Sequence, residues 1–200
     1  MTKSNIFSEI CYCVENMIIG ITGTLGAGKG TVVDYLLEKK GFRHFSVRSF
    51  LTEELEKRGL PVNRDEMRIL ADELRKTKSL GYIAEELLAQ AKESGANSII
   101  ESIRNVGEIE LLRKEKSFRL FAVDAEPKIR YERISKRKSS TDDVSFEKFM
   151  EQERRESNPD NPWNMNLPEC MRRANFVLQN NETPEVLYAQ IEKALAEIKQ

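Results

Sequence analysis

Histidine is nearly missing from this chain of 200 residues: His44 is the only one. Cysteine is scarce too, with Cys11, Cys13 and Cys170 forming an odd set without metal-ligand spacing. That set argues against a disulfide scaffold and a structural zinc site, and fits a reducing compartment. The pair around Tyr12 lacks the two-residue spacing of redox cysteines. Charge of one sign is also lacking, since 32 basic residues meet 33 acidic ones for a net −1. No bulk field then favours nucleic acid or an anionic membrane, and any anion site has to be built locally. No apolar run approaches the roughly 18 residues that would span a bilayer. Residues 1–16 carry Glu9 among scattered apolar positions, a poor match to a secretory signal. Repeats and low-complexity tracts are absent. These absences lead us to expect a soluble, cytoplasmic protein with neither nucleic acid nor membrane as a partner.

The length suits one α/β domain, 17–200, preceded by an extension at 1–16 whose nature (arm, helix or tag remnant) the sequence leaves open. Met17 to Thr22 is a short β-branched run of the kind buried on both faces. Further strands are expected at Arg43 to Val47, Asn97 to Ile103, Phe118 to Asp124 and Asn175 to Gln179. Helical spacing predicts Gly28 to Lys40, Ser49 to Arg58, Arg64 to Lys78, Tyr82 to Lys92, Val106 to Lys116, Lys128 to Lys138, Phe146 to Glu156 and Pro184 to Ile198. Such alternation predicts a five-stranded parallel sheet with helices on both faces, joined by right-handed crossovers. Residues 157–168, rich in Asn and Pro, read as a loop. His44, at the start of the second strand, is expected to pack rather than react.

Between the first strand and the first helix runs Gly23-Thr24-Leu25-Gly26-Ala27-Gly28-Lys29-Gly30-Thr31. Holding a triphosphate takes many donors at once, and backbone N–H groups supply them where glycines let the chain wrap closely. Lys29 adds a point charge for the β and γ phosphates, and the following helix points its N-terminus at them. A strict Walker A motif has Ser or Thr directly after the lysine; here Gly30 intervenes and Thr31 follows. Lys-Gly-Thr in this setting resembles the phosphate loop of adenylate kinase and its nucleoside monophosphate kinase relatives. The resemblance implies a three-layer P-loop kinase fold with a helical lid, and MgATP as cofactor. Gly23, Gly26, Ala27, Gly28, Lys29, Gly30 and Thr31 would then surround the phosphates, with Thr31 on the metal side.

Phosphoryl transfer needs a second anion site facing the first. Glu101-Ser102-Ile103-Arg104 lies at the carboxyl end of a strand, where open parallel sheets bind ligands. Glu101 is the candidate for orienting magnesium water, and Arg104 for gripping the acceptor phosphate. The segment resembles the Asp-Gly-Phe-Pro-Arg stretch of adenylate kinases, with Glu for Asp and no Pro. After the second strand, Phe45 to Thr52 occupies the place of that family's Ser-Thr-Gly-Asp-Leu-Leu-Arg. Ser46 agrees, Ser49 replaces the Asp and Thr52 the Arg, which leaves Arg48 as the substitute cation for the substrate. Residues 60–94 are expected to form the acceptor-binding helical insert.

Arg130, Arg133 and Arg137 share one helix face. Arg133 and Arg137 resemble the Arg-x-x-x-Arg of the same relatives, which implies closure over the triphosphate from a lid at 139–169. Trp163 is expected in the lid loop. Arg173 to Asn181 resembles the end of dephospho-CoA kinases, which implies Asn180 as an adenine neighbour. The expected activity is transfer of the γ-phosphoryl group of MgATP to a nucleoside or deoxynucleoside monophosphate. Dephospho-CoA kinase, or a nucleotide-binding switch or assembly ATPase, are the alternatives. The expected partner is a small phosphorylated acceptor, and the protein is expected to be a monomer or homodimer.

Overall fold

Six consecutive residues, Ile18–Gly23 (β1), are buried at every position, so this strand must have hydrogen-bonded neighbours on both edges and cover on both faces. The computed structural model, which describes residues 16–136, 145–157 and 160–198, supplies both. β3 (Ser98–Glu101) and β4 (Phe118–Asp124) flank β1 in parallel, so that Ile19 lies opposite Ile99 on one edge and Arg119 on the other. β2 (Arg43–Ser46) pairs outside β3 and β5 (Phe176–Gln179) outside β4, again in parallel. The order is β2-β3-β1-β4-β5. The five expected strands are all present, β4 with the expected ends and the others with ends shifted by at most two residues.

The helices are α1 (Lys29–Lys40), α2 (Val47–Lys57), α3 (Arg64–Thr77), α4 (Tyr82–Glu93), α5 (Val106–Leu112), α6 (Pro127–Lys136), α7 (Phe146–Ser157), α8 (Leu167–Arg172) and α9 (Pro184–Ile198). On one face of the sheet, Val32 and Leu36 of α1 and Leu187 and Ile191 of α9 pack on Ile19, Ile21 and Phe121. On the other, Leu51, Leu74, Leu87 and Ile109 from α2 to α5 meet Ile100 and Cys170. Each such side chain removed from water contributes roughly 2 kcal/mol. Burial pushes the Cys170 thiol up to about 12, which leaves it protonated and inert. Cys11 and Cys13 lie outside the described residues.

Three departures have local causes. Val47, expected to end the second strand, starts α2 because the Ser46 hydroxyl accepts from the Ser49 N–H and caps the helix there. The short helix α8 begins in the last two residues of the expected loop and runs on through residues assigned to no element: Asn166 caps it by accepting from Glu169 N–H, with Pro168 in the first turn. Of the expected insert 60–94, α4 buries Ile83, Ala84 and Leu87 in the second core, so it belongs to the helical layer over the sheet.

Candidate active site

The carboxyl ends of β1, β3 and β4 come together at the loop 23–31. Gly23 has φ 144°, and a Cβ there would stand 2.2 Å from the Val123 carbonyl oxygen; Gly28 has φ 97°, and a Cβ there would strike the Asn180 amide nitrogen at 2.1 Å. Tight wrapping therefore demands glycine at both places. Gly30 differs: it sits inside α1, and a Cβ added there would meet nothing within 4 Å. The sequence suggested that all four glycines wrap the loop, whereas Gly30 keeps open the space in front of the helix start. The Lys29 ammonium reaches back to the carbonyls of Gly23 and Thr24 at 2.9 Å each, closing the loop on itself. Ala27 is buried, Thr31 follows in the first turn of α1, and the N-terminus of that helix presents its first N–H groups to the loop.

Glu101 ends β3 beside this loop. Burial raises its carboxyl, but a hydrogen bond with His44 and the charges of Lys29 and His44 outweigh that and hold it below the ordinary carboxylate value. His44 Nε2 lies 3.2 Å from Glu101 Oε2, so the histidine expected to pack is instead a partner of the proposed metal-side acid. The next residue, Ser102, has φ 72°, the one positive φ outside glycine among the described residues. Its N–H and that of Ile103 both donate to the Ile21 carbonyl, which turns the chain sharply after Glu101. Strain held in this way is typical of sites where side-chain direction matters.

Arg104 follows, half-buried, with its N–H donating to Glu108 and its carbonyl accepting from Asn166 N–H. Arg48 is exposed on the first turn of α2. Thr24 donates from its hydroxyl to Asp124 at the end of β4 at 2.8 Å, fastening the other side of the loop.

On the lid side, Arg133 and Asn180 meet at the back of the loop. Asn180 donates to the Ala27 carbonyl at 2.8 Å and accepts, at 3.5 Å, from Arg133, whose Nη1 is buried without a hydrogen bond. Arg130, which the sequence sets on one helix face with Arg133 and Arg137, is buried. It donates to the carbonyls of Ala125 and Leu25 and pairs with Glu153 of α7. Beside it, Tyr131, Phe146 and Phe149 pack α7 onto α6. A cleft of about 190 Å³ between Thr24, Arg130, Glu153, Leu167 and Met171 opens next to the loop. Arg137 and residues 139–144 of the expected lid lie outside the described residues. Trp163 sits against Lys76 of α3 at 5.2 Å, between Pro162 and Asn164, whose carbonyls accept from Asn105.

Residues 19–158 match a family model described as an AAA domain. A UPF0200 protein of Methanothermobacter thermautotrophicus is 33% identical over 142 residues, 70% of this chain and 72% of that one. The chain belongs to this AAA-domain, UPF0200 family. A second UPF0200 protein, from Pyrococcus horikoshii, is 28% identical over 190 residues and spans 91% of this chain and 97% of its own. Among solved structures, TT1252 of Thermus thermophilus superposes with a TM-score of 0.60 at 23% identity, over 91% of this chain and 97% of that one. A shikimate kinase of Aquifex aeolicus does so at 0.51 and 16%, over 90% and 97%. The UPF0200 chain thus has the fold of small P-loop kinases.

Sequence reasoning missed three site residues in this UPF0200 protein. His44 could be linked to Glu101 only through the β2–β3 register, which places Ser46 beside Glu101. Asp124 ended a predicted strand, but its bond to Thr24 spans 100 residues. Glu153 lies 23 residues from Arg130 with no periodic signal between them.

Proposed function

We propose that the protein transfers the γ-phosphoryl group of MgATP directly to a nucleoside or deoxynucleoside monophosphate. The observation that carries this reading is two cationic positions delivered by the carboxyl ends of neighbouring strands, β1 and β3. Lys29 sits in a glycine loop after β1, and Arg104 stands three residues beyond the Glu101 carboxylate on neighbouring β3. Likeness in fold to a structure described as a shikimate kinase fits it.

The loop amides and Lys29 hold the β and γ phosphates, with Gly23, Gly26, Ala27, Gly28 and Gly30 leaving them room. Thr31 and Glu101 supply hydroxyl and carboxylate oxygens, the donor set that suits Mg²⁺ when phosphates complete its shell. Mg²⁺ bound there would offset charge on the transferring group. Arg104, aided by Arg48 from α2, holds the acceptor phosphate in line. No side-chain base is required, because the attacking atom is already a phosphate oxygen. Arg133 and Arg137 neutralise charge from the lid side, and Asn180 borders the adenine position. Exclusion of water by this side protects the γ-phosphoryl group from hydrolysis. The reading places the protein in the cytoplasm, as a monomer or homodimer, with no partner beyond small molecules.

A panel of nucleoside monophosphates, deoxynucleotides and dephospho-CoA, followed by ADP release, tests the proposal. One monophosphate class should accelerate release, and Arg104→Ala should raise KM for it by about 10- to 100-fold while leaving KM for ATP in place. Stimulation by dephospho-CoA alone would point to a hydroxyl acceptor, and equal release with every compound and with none to a hydrolase.

A further inference from the structure

Arg75 of α3 and Glu108 of α5 are opposite charges with side chains 2% and 0% exposed, and neither takes a part in the proposed chemistry. Arg75 Nε and Nη2 donate to Glu108 Oε1 at 3.0 and 2.7 Å. Glu108 Oε2 accepts from the main-chain N–H groups of Arg104 and Asn105 at 3.0 and 3.1 Å. One carboxylate therefore joins a guanidinium on α3 to the backbone that carries Arg104.

The connection closes into a ring. Asn105, 1% exposed, donates from its side chain to the carbonyls of Pro162 and Asn164 at 2.8 Å each. Asn166 N–H donates to the Arg104 carbonyl at 2.9 Å, so residue 104 is held at both of its backbone polar groups. The Asn164 side chain then donates to Asp72 Oδ2 at 2.9 Å, and Asp72 returns to Arg75 through an ion pair of 3.5 Å on α3 itself. A buried ion pair seldom stabilises a fold more than apolar side chains of the same volume would. This one fixes geometry: a small rotation of the peptide at 104 swings the guanidinium at the far end of a long side chain, and about 1 Å of misplacement costs on the order of 100-fold in rate.

We propose that Arg75 and Glu108 are positioning residues that lock Arg104 in the orientation needed for the acceptor phosphate, so that α3, residues 162–166 and the acceptor arginine move as one body. The proposal rests on the reading of Arg104 as the acceptor arginine. The test loads the phosphate loop with Mg²⁺ and a non-hydrolysable ATP analogue, then titrates inorganic phosphate, with affinity read by calorimetry in every variant and the Arg104 Nε–H resonance followed by NMR in those that keep Arg104. Glu108→Gln keeps an acceptor for the two N–H groups but removes the charge, and Arg75→Met removes the partner. Both should weaken phosphate by about tenfold or more with affinity for the ATP analogue unchanged, and Arg75→Lys, which keeps the charge, should stay within about threefold of the parent. Phosphate affinity that is lost in Arg104→Ala but retained in Glu108→Gln and Arg75→Met overturns the positioning role. A parent protein without response, or an unchanged phosphate affinity in Arg104→Ala, overturns instead the acceptor reading on which it rests.

Discussion

Glu101 is pulled in opposite directions by burial and by its charged neighbours. Burial alone would lift its carboxyl, yet the His44 hydrogen bond and the Lys29 charge leave it below the ordinary value of 4.5. A depressed folded value contributes stability above the unfolded one and loses it as the pH falls through the folded one. The carboxylate therefore survives below the usual acid range. His44→Ala removes the counterweight, burial prevails, and the acid limb of the pH–rate profile should move upward; an unmoved limb would contradict the account. Glycines divide just as sharply. Gly23→Ala forces a side chain into φ 144° against the Val123 carbonyl and should cost about 1–3 kcal/mol in urea unfolding. Gly30→Ala, inside α1 with open space around it, should be neutral or stabilising by about 0.5–1 kcal/mol while weakening nucleotide binding. Equal stability losses in the two variants would refute this division.

At the scale of elements, Arg130 ties α7 to the phosphate loop. Arg130 joins the Leu25 carbonyl, the Ala125 carbonyl and Glu153, and its guanidinium lies over the Phe149 ring at 5.4 Å. Glu153→Ala leaves that buried charge with only the more distant Asp124 carboxylate, 4.0 Å away, and should cost about 3 kcal/mol, with amide exchange rising first in 146–157. Exchange unchanged there would show that aromatic packing alone holds the helix. The strands, most helices and the phosphate loop were legible because their signals are local: β-branched runs, helical spacing, and glycines around a lysine. Helix α8 was legible in principle from Asn166, Pro168 and Glu169, a cap signature hidden among turn formers. Arg130, His44 and Asp124 were not legible, since their partners are fixed by register and crossover across the folded sheet. The Arg-x-x-x-Arg pattern placed Arg133 near the loop, but periodicity could not reveal that Arg130 on the same helix is buried against Leu25, Ala125 and Glu153.

Across the whole molecule, central β1 delivers the loop, β3 delivers Glu101 and Arg104 on one side, and β4 delivers Asp124 and the lid-side helices on the other. With a net charge of only −1, attraction for polyphosphate has to come from this local convergence and not from a long-range field. All of it depends on the loop 23–31 holding the triphosphate through its amides and Lys29. The most direct test is single-turnover formation of ADP from MgATP, in the presence of the best acceptor, by the parent protein and by Lys29→Ala. The account predicts a rate about 100- to 1,000-fold lower in the variant with the circular dichroism spectrum and melting temperature preserved. Turnover by Lys29→Ala at the parent rate would contradict it.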